Sequence, residues 1–160
     1  MRHLWIIRHG KSADGSPDHD RPLNHRGLHD GPNMQAWYAR QEHRASWIWA
    51  SSARRAQMTA EFVGQGFNAP VIDAPDLYLP SPETLLDQLR STPDTEPCAA
   101  VVAHNPGLTY LVNLLSGDWV IDNLVTFGSA LFAAPIESWT ELRPGNCELL
   151  TLVSPKTLPE

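Results

Sequence analysis

Four short apolar runs recur along this chain, at residues 4–7, 47–50, 99–103 and 149–153, and segments with helical spacing fill the intervals between them. Runs of small apolar, β-branched or aromatic residues this short read as strands buried on both faces, since a helix needs roughly ten or more residues. Residues 24–40 carry Met34, Trp37 and Tyr38 at helical spacing behind Asn24, a residue suited to cap a helix N-terminus. Pro32 predicts a kink or a restart within that helix. Residues 54–63 and 83–89 place apolar residues at i, i+3 or i+4, and Leu108, Leu111, Val112 and Leu115 repeat the pattern. Strand and helix thus alternate, which predicts an α/β fold: a three-layer α/β/α sandwich around a mostly parallel sheet. Residues 131–134 and 148–153 complete the sheet, with Pro144-Gly145 marking the turn before the last strand.

With 160 residues, 42% of them hydrophobic, no internal repeat and fourteen Pro scattered as loop punctuation, residues 1–160 read as one domain. Eighteen acidic residues against twelve basic ones leave a formal charge of −6. That balance argues against nucleic-acid and anionic-membrane partners, and it confines any anion site to a local cluster of Arg. The apolar run at residues 4–7 ends at Arg8, too soon for a secretory signal and far short of the roughly 20 residues of a membrane span. Cys98 and Cys147 are too few for a disulfide framework. A cytoplasmic protein is expected.

Ligands of an open α/β sheet gather beyond the carboxyl ends of its strands, so the residues after each apolar run carry the most information. Arg8-His9-Gly10 follows the first run, Ser51 with Arg54 and Arg55 follows the second, and His104-Asn105-Pro106-Gly107 follows the run at 99–103. Singly these are ordinary: a strand-to-loop junction, a solvated helix face, and a helix start with Pro106 in the first turn. Jointly they direct two His and several Arg at one crevice.

These residues resemble the histidine phosphatase superfamily, the phosphoglycerate mutase-like fold, and within it the small SixA-type phosphohistidine phosphatases. Leu4-Trp5-Ile6-Ile7-Arg8-His9-Gly10-Lys11-Ser12 is similar to that branch's opening, and Asp20-Arg21-Pro22-Leu23-Asn24-x-x-Gly27 to its next loop and helix start. Ser51-x-x-x-Arg55-Ala56-x-x-Thr59-Ala60 is similar to its second Arg motif, Leu77-Tyr78 to its mid-chain landmark, and Val101-Val102-Ala103-His104-Asn105-Pro106-Gly107-Leu108 to its second His motif. The resemblance implies that His9 is the nucleophile that takes the phosphoryl group, that Arg8, Arg55 and His104 complete a phosphate pocket, and that Arg21 adds to it. Arg54 falls outside by the register of its motif. The implied activity needs no cofactor and no metal, and its substrate is a phosphorylated protein or a small phosphate ester.

The chemistry suits these residue types. A phosphoryl group in transfer spreads negative charge over three equatorial oxygens, so it needs rigid donors around that equator and a nucleophile in line with the leaving group. Arg binds two oxygens at once and keeps its charge. The nucleophilic His must be neutral, which neighbouring Arg residues favour, and its second nitrogen needs an acceptor that fixes the tautomer. Gly10 is expected to let the chain turn sharply behind His9.

The chain departs from the family at two places. Ser52 stands where many members have Pro, and Asn105 stands where one branch has an acidic Asp. Asp76, just before Leu77-Tyr78, is then the sequence's candidate for the general acid, with Glu83 the next carboxylate. A pocket rich in Arg and poor in acid suits a P–N bond, because the imidazole of a phosphohistidine can leave as a neutral ring. The intervals between motifs hold helices but no lid domain, so an open pocket is expected.

Three readings follow. The first is a phosphatase working through phospho-His9, most directly on phosphohistidine in a partner protein and alternatively on a broad set of small phosphate esters. The second is a metal-dependent hydrolase built on residues 18–30, where His25 and His29 stand at a metal-ligand spacing of i, i+4 beside Asp20 and Asp30. The third is a silent phosphate-binding module. His19 is expected to border the pocket, His3 to be structural, and the six Trp to pack in the core.

Overall fold

In the computed structural model, which describes residues 1–159, the strands are β1 (Arg2–Arg8), β2 (Trp47–Ala50), β3 (Val71–Asp73), β4 (Cys98–Ala103), β5 (Ser129–Ala134) and β6 (Glu148–Val153). The helices are α1 (His25–Ala39), α2 (Arg54–Phe67), α3 (Pro82–Arg90) and α4 (Gly107–Ser116). The strands form one sheet in the order β3-β2-β4-β1-β5-β6. β1, β2, β3 and β4 pair in parallel, β5 pairs antiparallel to β1, and β6 pairs antiparallel to β5. The sheet is therefore mixed but mostly parallel, with β5 alone reversed.

The period-two alternation of β1 divides the core. Leu4 and Ile6 face α3 and α4 together with Trp47 and Trp49, whose rings meet edge-on at 5.4 Å. Trp5 and Ile7 face α1 and α2, where Trp5 packs against Trp37, Tyr38 and Phe67. Helices on both faces make the three-layer sandwich that the alternating pattern predicts. Asn24 caps α1 by accepting from the Gly27 N–H at 2.9 Å, as its position suggested.

Three expectations are corrected. α1 runs through Pro32 without restarting. Pro32 is exposed, and so is Leu28, whose carbonyl Pro32 leaves without an amide donor and which solvent can serve. β6 is an edge strand with Glu148, Leu150 and Leu152 exposed, so it is covered on one face rather than two. Trp119 is 60% exposed, while Trp5, Trp37, Trp49 and Trp139 are buried and Trp47 is partly so.

Because β5 is reversed, its amino end lies at the same sheet edge as the carboxyl ends of β1, β2 and β4. That edge collects the residues after β1, the start of α2, the start of α4 and the loop before β5.

Candidate active site

His9 is the first residue beyond β1. Its backbone is held from both sides, with its N–H donating to Ala103 (3.2 Å) and its carbonyl accepting from Phe127 (3.0 Å). The ring Nδ1 lies 2.7 Å from the Gly10 carbonyl. A carbonyl only accepts, so Nδ1 carries the hydrogen and Nε2 keeps its lone pair. Burial lowers the His9 pKa to about 4, and the charges of Arg8, Arg55 and Arg21 add to the effect against the opposing pull of the Gly10 carbonyl. At neutral pH this ring is uncharged, of fixed tautomer, with a free lone pair on Nε2.

The Gly10 N–H donates to Thr59 Oγ1 at 2.9 Å, and that hydroxyl donates to the Arg55 carbonyl at 2.8 Å, so α2 holds the loop that carries His9. The need for glycine at position 10 is one of packing rather than of a sharp turn. Its φ lies outside the left-handed region, and a Cβ would stand 2.7 Å from the Phe127 ring. Phe127 itself is in the left-handed conformation, at φ 57, which is costly for a bulky side chain. Its bond to His9 and its full burial hold it there.

His104 follows β4 and is 1% exposed, its ring centroid 5.1 Å from that of His9. Ser51, at the end of β2, lies 2.7 Å from His104 Nε2 and accepts from the Ala53 N–H at 3.3 Å. Among the described residues the Ser51 hydroxyl has no acceptor for its hydrogen other than His104 Nε2, and donation there leaves the hydrogen of His104 on Nδ1. Burial, then the proximity of His9 and Arg55, lowers the His104 pKa to about 3, so this ring is a neutral donor at pH 7. Asn105 is not an acid substitute. Its Oδ1 accepts from the Thr109 N–H and hydroxyl at the start of α4, and its Nδ2 donates to the Leu124 carbonyl at 2.7 Å. The same carbonyl accepts from Arg8 Nη1 at 3.2 Å, so a side chain able both to donate and to accept helps order the arginine beside His9.

Arg8, His9, Arg21, Arg55 and His104 line one cavity of about 480 Å³. Asp76 does not line it: the side chain is exposed on the turn after β3. The carboxylate at the cavity is Asp18, on a short 3-10 turn before α1. It accepts from Arg55 Nη2 (3.2 Å), from Arg21 Nε (3.0 Å) and from the Tyr78 hydroxyl, while its backbone carbonyl accepts from Arg55 Nη1 at 2.9 Å. The Tyr78 bond and the two guanidinium groups hold the Asp18 pKa down at about 2. Sequence reasoning missed Asp18, which is one of three Asp in a polar loop with no pattern to single it out.

Among the described residues four buried side-chain polar atoms have no partner, and three of them belong to residues that line this cavity: Arg8 Nε, Arg55 Nε and His104 Nδ1. Buried donors left unpaired are costly, and an oxyanion would supply the acceptors they need. The arrangement can therefore bind a tetrahedral anion against a neutral imidazole nucleophile.

The remaining candidates lie around this site. Arg54 is exposed and lines a separate surface. His19 does not line the cavity; it bonds Ser52 at 2.9 Å and sets its edge against the Tyr78 ring. Ser52, at the position where Pro was noted, thus has a partner of its own. His25 and His29 are exposed on the first turns of α1, and among the described residues no three His, Cys, Asp or Glu side chains are grouped as metal ligands. His3 stacks on His43 at 3.7 Å. No helix among the described residues is long and apolar enough to cross a membrane.

A family model for the histidine phosphatase superfamily (branch 1) matches residues 4–78. An uncharacterised protein of Mycobacterium tuberculosis (strain H37Rv) is 27% identical over 161 residues, spanning 94% of this chain and all of the relative. Among solved structures, a SixA protein from Nakamurella multipartitia superposes with a TM-score of 0.87 at 21% identity, over 96% of both chains. The protein histidine phosphatase SixA complexed with tungstate superposes with a TM-score of 0.81 at 26% identity, over 96% of this chain and 97% of that one.

Proposed function

We propose that the chain is a member of the histidine phosphatase superfamily, whose family model matches residues 4–78, and that it removes phosphoryl groups from phosphohistidine in a partner protein by way of a phosphorylated His9. Arg8, Arg21, Arg55 and His104 hold the phosphoryl oxygens, and residues 1–160 act as one domain in the cytoplasm, without lid, metal or cofactor. An open pocket of this kind admits a side chain presented by another protein.

The entering phosphoryl group replaces the Asp18 carboxylate on Arg55 and Arg21. The Nε2 lone pair of His9 attacks phosphorus, the P–N bond of the substrate breaks, and its electron pair returns to the substrate ring. That ring arrives protonated on its far nitrogen and so departs as neutral imidazole. His9 becomes a phosphoimidazolium whose Nδ1–H still donates to the Gly10 carbonyl. Water then attacks phosphorus, the bond to Nε2 breaks with its pair returning to His9, and both water protons leave on the phosphate as dihydrogen phosphate.

The observation that carries this proposal is the protonation of the pocket. Its carboxylate, Asp18, is surrounded by donors and held ionised, so it has no proton to give at neutral pH. An alkoxide leaving group needs such a proton, and a protonated phosphoimidazole does not.

Rapid-quench labelling with ³²P-phosphohistidine tests the proposal. Wild type should acquire an acid-labile, base-stable label that His9→Ala abolishes, at a rate unchanged by EDTA. A label that survives His9→Ala, or none on the wild type, overturns it. Faster turnover of small sugar phosphates than of phosphohistidine would move the activity to the broader class of phosphate esters.

A further inference from the structure

The chain contains only two lysines, Lys11 and Lys156, separated by 145 positions. Both line one cavity of about 270 Å³ between the loop after β1, the loop before β5 and the segment after β6, together with Arg26, Asp30, Val125 and Thr126 among others. Lys11 and Thr126 also line the His9 cavity, so the two cavities adjoin. Asp30 is buried and accepts from Arg26 Nε at 3.1 Å, which offsets the Arg26 charge. Among the described residues neither lysine lies within ion-pair distance of a carboxylate. The cavity therefore carries a local excess of about two positive charges in a protein whose formal charge is −6.

We propose that the Lys11–Lys156 cavity is a subsite for a second anionic group of the substrate, a carboxylate or phosphate set apart from the phosphoryl group held at His9. The proposal deepens the phosphatase reading and rests on it, since it names a property of the substrate that the His9 pocket receives. Lys11 stands at the junction and serves both groups, whereas Lys156 touches only the second cavity. Two ammonium groups on independent segments, with apolar walls from Val125 and Pro155, suit a compact anion on an apolar stem better than an extended polyanion. The second anion belongs either to a small substrate itself or to an acidic residue beside the phosphohistidine, and the chemistry at the lysines is the same.

Calorimetric binding to the full chain carrying His9→Ala, which prevents turnover, tests the subsite at 150 mM salt. Two ligand pairs are compared: 3-carboxyphenyl phosphate against phenyl phosphate, and phosphohistidyl-glutamate against phosphohistidyl-glutamine. The member with the extra carboxylate should bind about tenfold tighter in at least one pair. Adding Lys156→Met should remove that preference while leaving the affinity for phenyl phosphate unchanged. Arg143→Met, a charge removed from an exposed site lining neither cavity, should leave the preference intact. Preference in the aryl pair alone assigns the anion to a small substrate, and preference in the peptide pair alone assigns it to an acidic neighbour of the phosphohistidine. Equal binding in both pairs, no binding at all, or an equal loss in Arg143→Met overturns the subsite. These outcomes are independent of labelling: a subsite found without phospho-His9 defeats the catalytic reading alone, and labelling without a preference defeats the subsite alone.

Discussion

Asp18 is the residue on which the pocket's chemistry turns. Its carboxylate pairs with Arg55 and Arg21, the guanidinium groups that the proposed reaction assigns to the phosphoryl group, so in that reading it is an internal anion competing for both. Its side chain is 47% exposed whereas that of Arg55 is only 3% exposed, so the carboxylate can move out into water while the buried guanidinium must be met by another anion. Displacement by a phosphoryl dianion is therefore inexpensive. Asp18→Ala should free both arginines, and inorganic phosphate or tungstate should bind roughly threefold tighter by calorimetry. Weaker binding would show instead that Asp18 holds Arg55 in place for the substrate.

At the scale of elements, α1 and α2 cross closely because glycine removes the side chain at the contact. A Cβ on Gly66 would stand 2.7 Å from the Gln35 carbonyl oxygen and 2.9 Å from Tyr38 Cβ, where backbone cannot yield as a side chain does. Gly66→Ala should therefore lower stability by about 1–3 kcal/mol, read as a lower denaturation midpoint at unchanged slope. Helix propensity alone predicts the opposite sign, a gain of about 1 kcal/mol, so the measurement separates propensity from packing. The same contrast between local and tertiary causes explains what the sequence made legible. β1, β2 and β4 were visible because strands buried on both faces are apolar at nearly every position, and His9, Ser51 and His104 were found because they directly follow them. β3 was not, since Val71, Ile72 and Asp73 are three half-exposed or exposed residues with no period to detect. Asp18 was equally hidden. Its partners Arg55 and Tyr78 lie 37 and 60 positions away, and nothing in the loop itself distinguishes it from Asp14 or Asp20. A sharp turn is the local reason to expect glycine at position 10, whereas the Phe127 ring that requires it is distant in sequence and invisible to any local pattern.

For the whole molecule, the sheet order places β1 and β4 side by side at the centre, so the His residues that follow them are buried together and neutral. An unfolded chain holds both near their ordinary pKa of 6.5, whereas the fold lowers them to about 4 and about 3, chiefly by burial. Between these limits the unfolded state binds more protons than the folded one, so stability rises with pH there and is lost as pH falls below about 6.5. His3 is shifted in the same direction and adds to the slope, while Asp18 contributes only below its ordinary value of 3.8, where its loss of charge removes the pairs with Arg55 and Arg21. The combined loss from the two active-site rings should reach a few kcal/mol by pH 4, on the order of half of a typical domain's stability. Guanidinium denaturation at pH 7, 6, 5 and 4 should show the midpoint falling steadily over this range, and the double variant His9→Asn/His104→Asn should flatten most of that slope. A wild-type midpoint that stayed level down to pH 4.5 would show that both rings take up protons as readily in the fold as outside it. The neutral imidazole that the proposed chemistry requires would then lose its structural cause.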